Sequence, residues 1–323
     1  MAGKVFAYIV HAGGVADDSA LELANAARQI QPDAAPIAIV TGSGAGLDAV
    51  CNELSATFAE VWKFDAEALA YPNAEVIRPL LTAVLPEGAI LLLPHNTFGM
   101  DLGPGLSIKL DVPFVSDVVS FDSVDGTVLK AVRQEYGGQV STHVQADIGS
   151  GAVINVRGGS FAADESGSAG GQVVDKSGEI GEIGARRKFL EVVAAEVGDV
   201  DITKEDVLVS VGRGIEDEDN IEIAEELAEA IGAAVSCSRP IVDAKWLEKS
   251  RQVGTSGQTV KPKVYLALGI SGSFQHMGGL KGNPFIVAVN KNAKAPIFQV
   301  ADVGVVADVL DFVPELTDKV KEG

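Results

Sequence analysis

Cysteine is nearly absent: 323 residues contain two, Cys51 and Cys237, and histidine is limited to four, His11, His95, His143 and His276. The two cysteines lie too far apart for a Cys-x-x-Cys motif, and no zinc-type spacing can be built from so scattered a set, so no metal site is expected. The cysteine usage fits a reducing, intracellular compartment, read as cytoplasmic. Basic residues are also scarce, 25 Lys+Arg against 45 Asp+Glu, for a formal net charge of −20. An acid excess opposes phosphate backbones and anionic lipid, which excludes nucleic acid as a partner. Long apolar runs are missing: the most apolar stretch, 89–93, stops at Pro94, short of the ~20 residues that span a bilayer, so no stable membrane insertion is expected. Residues 1–10 carry one charge and an apolar run too short for a signal peptide, and read as a first strand. No Ser-His-Asp or Cys-His set stands out, so no catalytic side chain is assigned.

What is present describes a folded α/β protein. With 47% hydrophobic and 22% charged residues, the chain has the composition of an ordered protein, and its length suggests about two domains. Over 4–119, short apolar runs at 5–10, 37–40, 61–64, 89–93 and 114–119 alternate with helical patterns near 18–29, 46–55, 74–85 and 101–109. That alternation argues for a Rossmann-like, mostly parallel sheet covered on both faces. The runs 127–134, 139–145 and 151–157 leave no room for helices and read as appended antiparallel strands. Residues 158–184 are dense in Gly and Ser and read as loop and linker. Alternation resumes with strands at 207–211, 233–237, 264–267 and 285–289, the acidic helix 218–231, and helices near Ser273 and over 304–312. The expected organisation is therefore an N-terminal α/β domain over 1–194 and a doubly wound α/β domain over 195–323.

The second domain carries the functional signals. Residues 239–294 hold nine Lys or Arg against two acids, a local excess of positive charge that would focus on an anion or equally balance the acidic helix before it. Glycine and small hydroxyl residues concentrate there, in Val253-Gly254-Thr255-Ser256-Gly257 and Gly269-Ile270-Ser271-Gly272-Ser273-Phe274-Gln275-His276. Such loops let backbone N–H groups approach phosphate, the more so before a helix N-terminus, although each also makes an ordinary turn. Gly212-Arg213-Gly214 follows a strand, at the sheet edge where open α/β domains place nucleotides, but lacks the Gly-x-Gly-x-x-Gly spacing. His276, charged or neutral, is placed to hydrogen-bond a carbonyl that gains charge on reduction, or to be a helix-start residue satisfied by backbone.

Taken in order, Gly212-Arg213-Gly214, Cys237-Ser238-Arg239-Pro240-Ile241-Val242-Asp243, Arg251-Gln252-Val253-Gly254-Thr255-Ser256-Gly257, the 269–276 loop, Ala288-Val289-Asn290-Lys291 and Ala295-Pro296-Ile297-Phe298 closely resemble the FAD-binding domain of the electron transfer flavoprotein alpha subunit. The resemblance is strong from about Val207 onward and extends to the first domain only in architecture and a Leu-Leu-Leu-Pro strand end. It implies FAD held by the second domain, with AMP or a second FAD on a beta subunit that pairs with this chain. It further implies electrons arriving from acyl-CoA dehydrogenase-like or other flavin dehydrogenases and leaving to a quinone oxidoreductase or other acceptor, a carrier rather than a metabolite-converting enzyme. By the same resemblance Arg213, the 269–273 loop with Ser271, Gly272 and Ser273, Asn290 and Asp308 contact the ADP half. Ser238, Arg239, Val253, Gly254, Ser256, Gln275 and His276 meet the isoalloxazine end, with Arg239, Ser256 and His276 tuning its potential, and Thr255, Phe274 and Val309 also bind the cofactor. Thr255 replaces the usual Gln, Val303 an aromatic, and Asn292-Ala293 the usual Asp-Pro. Two other classes fit the same residues: a subunit of an electron-bifurcating, NADH-oxidising flavoprotein, and a non-redox nucleotide-binding regulatory protein.

Overall fold

A computed structural model describes residues 4–32, 35–136, 140–164, 170–182, 184–191 and 200–322. The chain divides into two compact units, Met1–Glu191 and Val192–Gly323.

In the first unit, β1 (Val5–Ile9), α1 (Ser19–Ile30), β2 (Ile37–Gly42), α2 (Ala45–Leu54), β3 (Glu60–Asp65), α3 (Ala74–Val84), β4 (Ile90–Pro94) and α4 (Thr97–Leu110) alternate. They are followed by β5 (Phe114–Asp125), β6 (Val128–Glu135), β7 (Val140–Asp147), β8 (Ala152–Val156) and β9 (Gln172–Asp175). Among the described residues these nine strands form one sheet in the order β9-β3-β2-β1-β4-β8-β5-β6-β7. Every residue of β1 and β4 is buried, as continuous apolar strands in a sheet covered on both faces must be. One face packs on Leu23, Ala27 and Ile30 of α1 and Leu47 and Val50 of α2; the other packs on Ile77 and Leu81 of α3 and Leu102 and Leu106 of α4.

Three expectations need correction. Residues 151–157 are not an appended antiparallel strand: β8 lies in the sheet interior, parallel to both β4 and β5. Its sequence Ala-Val-Ile-Asn-Val is buried throughout and apolar except at Asn155, but the short loop from β7 conceals a return to the parallel layer. The true antiparallel arm is β5-β6-β7. At Asp117 β5 takes φ +59, and the Arg157 guanidinium holds that carboxylate with two hydrogen bonds of 2.7 and 2.6 Å where the strand changes from a parallel to an antiparallel partner. Nor is 158–184 wholly linker. Within it β9 adds in parallel to the edge strand β3, Val173 opposite Val61. Beyond it, Glu75 Oε2 accepts the backbone N–H groups of Arg186 and Arg187 at 2.8 and 2.9 Å, tying this segment to α3.

The second unit contains β10 (Val207–Val211), α5 (Ile221–Ile231), β11 (Ala234–Cys237), α6 (Arg239–Asp243), β12 (Val264–Leu268), α7 (Phe274–Met277), β13 (Phe285–Val289), β14 (Val303–Val305) and α8 (Val309–Glu322). Among the described residues its five strands are all parallel, ordered β11-β10-β12-β13-β14. The third correction falls here. The helix expected over 304–312 is split into β14, which pairs Val303 with Val287, and α8, whose first turn is closed by Leu310 N–H donating to Asp308 Oδ1 at 3.0 Å. A Val-Gly-Val tripeptide has little strand signal of its own and is recruited by the β13 edge. No helix among the described residues is long and apolar enough to cross a membrane.

The packing of α4 yields a test. Asn96 caps the helix through Gly99 N–H, and a Cβ on Gly99 would stand 2.0 Å from the Pro94 carbonyl oxygen. Gly99→Ala should cost about 1–3 kcal/mol of stability, read from urea denaturation, because backbone rather than a flexible side chain blocks the methyl.

Candidate functional site

In the second unit the first strand crosses to β11 on one side and the chain then crosses to β12 on the other, so the connections from the carboxyl ends of β10 and β12 diverge. Open α/β sheets bind ligands at that reversal. A cleft of about 660 Å³ occupies it, lined from five loops: Arg213 and Gly214 after β10, Ser238 to Pro240 after β11, Gln252 to Ser256, Gly269 to Ser271 with Ser273, Gln275 and His276 after β12, and Asn290 to Asn292 after β13. Ala295, Pro296, Asp308 and Val309 complete its wall.

The loops approach each other at backbone distance. A Cβ on Gly214 would fall 2.6 Å from the Gly269 Cα, so neither glycine can be replaced without moving both turns. Gly254 adopts φ +139, a conformation that side chains oppose, and a Cβ there would meet the Gln275 carbonyl oxygen at 2.9 Å. Thr255 N–H donates to that same carbonyl at 2.8 Å, joining the 252–256 turn to the start of α7. Asn290 Nδ2 donates to the Ile270 carbonyl at 2.9 Å while its Oδ1 accepts Asn292 N–H, so this residue locks two loops as well as facing the cleft.

Of the residues singled out in the sequence, Arg213, Ser238, Arg239, Val253, Gly254, Thr255, Ser256, Ser271, Ser273, Gln275, His276, Asn290, Asp308 and Val309 all line this cleft. Gly272 and Phe274 do not. Gly272 is wedged against the Ile297 backbone, where a Cβ would lie 2.4 Å from nitrogen, and Phe274 is exposed at the start of α7. The helix expected to follow Ser271 is a single turn, Phe274–Met277, too short for a substantial dipole at the loop.

The charge reading is narrowed. Only Arg213, Arg239 and Lys291 among the positives reach the cleft, and Asp243 and Asp308 stand with them. Arg239 Nε lies 3.3 Å from Asp243 Oδ2 and Lys291 pairs with Glu216. Both pairs are solvent-exposed, so both are weak and open readily to a competing anion.

Gln252 is a cleft residue for which no role was assigned from the sequence. It is buried, and its Nε2 donates to Ser256 Oγ at 2.9 Å, which occupies an acceptor site of that hydroxyl and leaves its proton to give outward. Its place inside Arg251-Gln252-Val253-Gly254 was visible, but its orienting role depends on the turn that brings residues 252 and 256 together.

His276 is 5% exposed. Its Nε2 lies 2.7 Å from the Tyr265 hydroxyl, and its Nδ1 is buried without a hydrogen bond of proper geometry. Burial pushes its pKa down to about 4, against a small upward pull from the nearby Val253 backbone, so the ring is neutral at physiological pH. The charged alternative considered from the sequence does not fit this site. Burial likewise raises the Cys237 thiol at the end of β11 to about 12, which keeps it an inert core group.

Linkage turns the histidine shift into a test. Between pH 6.5 and about 4 the unfolded chain binds the His276 proton and the folded chain does not, so this contribution to stability is complete above pH 6.5 and is lost as pH falls towards 4. His276→Gln should remove about 2 kcal/mol of the acid sensitivity of urea unfolding compared between pH 7 and pH 4.5.

Comparison with known proteins agrees with this architecture. Residues 201–281 match the electron transfer flavoprotein FAD-binding domain, and residues 5–179 match the electron transfer flavoprotein domain. The chain is 35% identical over 319 residues to the electron transfer flavoprotein subunit alpha of Mycobacterium leprae, covering 97% of this chain and 96% of that one. It is 32% identical to a probable mitochondrial alpha subunit of Cryptococcus neoformans, covering 96% and 89%, and 35% identical to protein FixB of Clostridium saccharobutylicum, covering 72% and 70%. With both domain models in sequence order and whole-length relatives above 30% identity, the chain belongs to the electron transfer flavoprotein alpha-subunit family, a family of FAD-binding electron-transfer proteins.

Proposed function

We propose that this chain is the FAD-holding subunit of a two-chain electron carrier, and that the cleft at the β10/β12 edge is where the FAD sits. The observation that supports this most is the convergence of fourteen residues singled out in the sequence on one cleft whose volume of about 660 Å³ falls within the ~300–1,000 Å³ usual for cofactor sites. The residues fit the group. Gly214 and Gly269 leave room for a close backbone approach, Arg213 supplies a cation for a pyrophosphate, and the buried Nδ1 of His276 is an unspent polar atom at the other end of the loop.

FAD, when bound, supplies the one- and two-electron chemistry that no side chain here possesses. The protein's part is electrostatic. Arg239, held only by an exposed carboxylate, is available to compensate negative charge gained on reduction. Ser256, oriented by Gln252, offers a hydroxyl proton in a fixed direction. His276 contributes a neutral dipole rather than a second full charge, so Arg239 is the main cationic tuning group at the isoalloxazine end.

In this reading the N-terminal unit is scaffold and interface for a beta subunit, and electrons pass from a flavin dehydrogenase, such as an acyl-CoA dehydrogenase, to a quinone oxidoreductase or similar acceptor. The sequence resemblance leaves a second reading, an NADH-oxidising bifurcating flavoprotein whose extra nucleotide site lies on the partner. The chain co-produced with its beta subunit should purify yellow, with one FAD per heterodimer and AMP on the partner. Two FAD and reduction by NADH would favour bifurcation, and a colourless complex would overturn both. Arg239→Ala should lower the midpoint potential of the bound cofactor by tens of millivolts, corresponding to ~1 kcal/mol for one exposed charge-assisted contact, as read by anaerobic redox titration. A chain beginning at residue 185 should fail to co-purify with the beta subunit; retained pairing would refute the assignment of the interface to the first unit.

A further inference from the structure

The contact between Tyr265 and His276 joins the sheet to the cleft. Tyr265 is fully buried in β12, its hydroxyl 2.7 Å from His276 Nε2, with ring centroids 6.1 Å apart. Around it the otherwise apolar strands carry two buried serines. Ser210 in β10 and Ser236 in β11 are direct cross-strand partners, both 0% exposed, and the two-residue period of the strands puts them on the same sheet face as Tyr265. A hydroxyl in such a place costs free energy unless it is used, and valine or alanine would fill the same space. Neither serine oxygen makes a hydrogen bond among the described residues, and both oppose the upward push of burial on the Tyr265 hydroxyl, the direction in which a donor acts.

Counting protons orders the cluster. A phenol has one proton to give and room to accept from two donors. With Ser210 and Ser236 donating to it, Tyr265 gives its own proton to His276 Nε2. The imidazole proton then resides on Nδ1, the ring nitrogen left without a good partner in the chain. Burial disfavours both the phenolate and the imidazolium, so this arrangement persists at neutral pH.

We propose that Tyr265, backed by Ser210 and Ser236, is a positioning residue that holds His276, a residue of the cleft wall, in one ring orientation and in the Nδ1–H tautomer. The tautomer assignment stands on the chain alone, whereas its consequence for cofactor binding rests on the FAD reading above.

The test uses the full heterodimer with 15N-histidine in this chain, the His276 signals being assigned by their loss in His276→Asn. The wild type at pH 7 should show a neutral ring with Nδ1 protonated and Nε2 bare. Tyr265→Phe, which removes one oxygen, should shift the tautomer towards Nε2–H and weaken FAD binding about 3- to 10-fold by fluorescence titration. The double variant Ser210→Ala/Ser236→Ala should move both readouts the same way by less. His276→Asn, whose amide nitrogen replaces Nδ1, should retain FAD better than His276→Gln, whose amide nitrogen replaces Nε2. An Nε2–H tautomer in the wild type, or an unchanged tautomer in Tyr265→Phe, would overturn the proposal. If Tyr265→Phe does not fold, the wild-type tautomer and the Asn/Gln comparison still decide it. A heterodimer without FAD but with the Nδ1–H tautomer would support the positioning role and overturn the cofactor reading.

Discussion

The second unit depends on one steric constraint: the turns after β10 and β12 meet at the Gly214 and Gly269 backbones with no room for a Cβ between them. That approach sets the floor of the cleft. Because the crossovers from these two parallel strands leave in opposite directions, the floor stays open above, and the loops after β11 and β13 form its flanks. Most of the residues assigned to cofactor binding hang from these loops, and the loops are cross-tied by backbone and carboxamide hydrogen bonds as well as by the buried apolar contacts of Val253, Ile270 and Ile297.

The electrostatics of the cleft are set more by burial than by net charge. Arg239 and Lys291 are exposed and weakly paired, so they can follow an incoming anion. His276 sits deeper, and desolvation keeps it neutral, so the cleft combines exposed full charges with a buried neutral dipole. Behind it, Tyr265, Ser210 and Ser236 form a polar inlay in an apolar sheet. Placed there, a buried polar group constrains the orientation of its neighbour in a way that hydrophobic packing does not.

Much of the second unit was readable in the chain because its signals are local. The strands at 207–211 and 285–289 are short apolar runs bounded by turn residues, and the loop motifs occur in the order that the cleft uses them. The failures share a cause. The interior strand Ala152–Val156, the edge strand Gln172–Asp175 and the tripeptide Val303–Val305 are defined by the strands they pair with, and pairing across long sequence separation leaves no periodic trace. Gln252 and Tyr265 escaped assignment for the same reason, since each acts through a neighbour that the fold supplies.

The sequence by itself determined the α/β class, the absence of a cysteine-based metal motif, the acidic surface and the family of the loop motifs, because composition and short motifs are properties of contiguous residues. Tertiary structure decided which cations reach the cleft, that His276 is uncharged there, and which of its nitrogens faces Tyr265. Those properties arise from desolvation and from hydrogen bonds between strands remote in the chain, and both exist only once the sheet has formed.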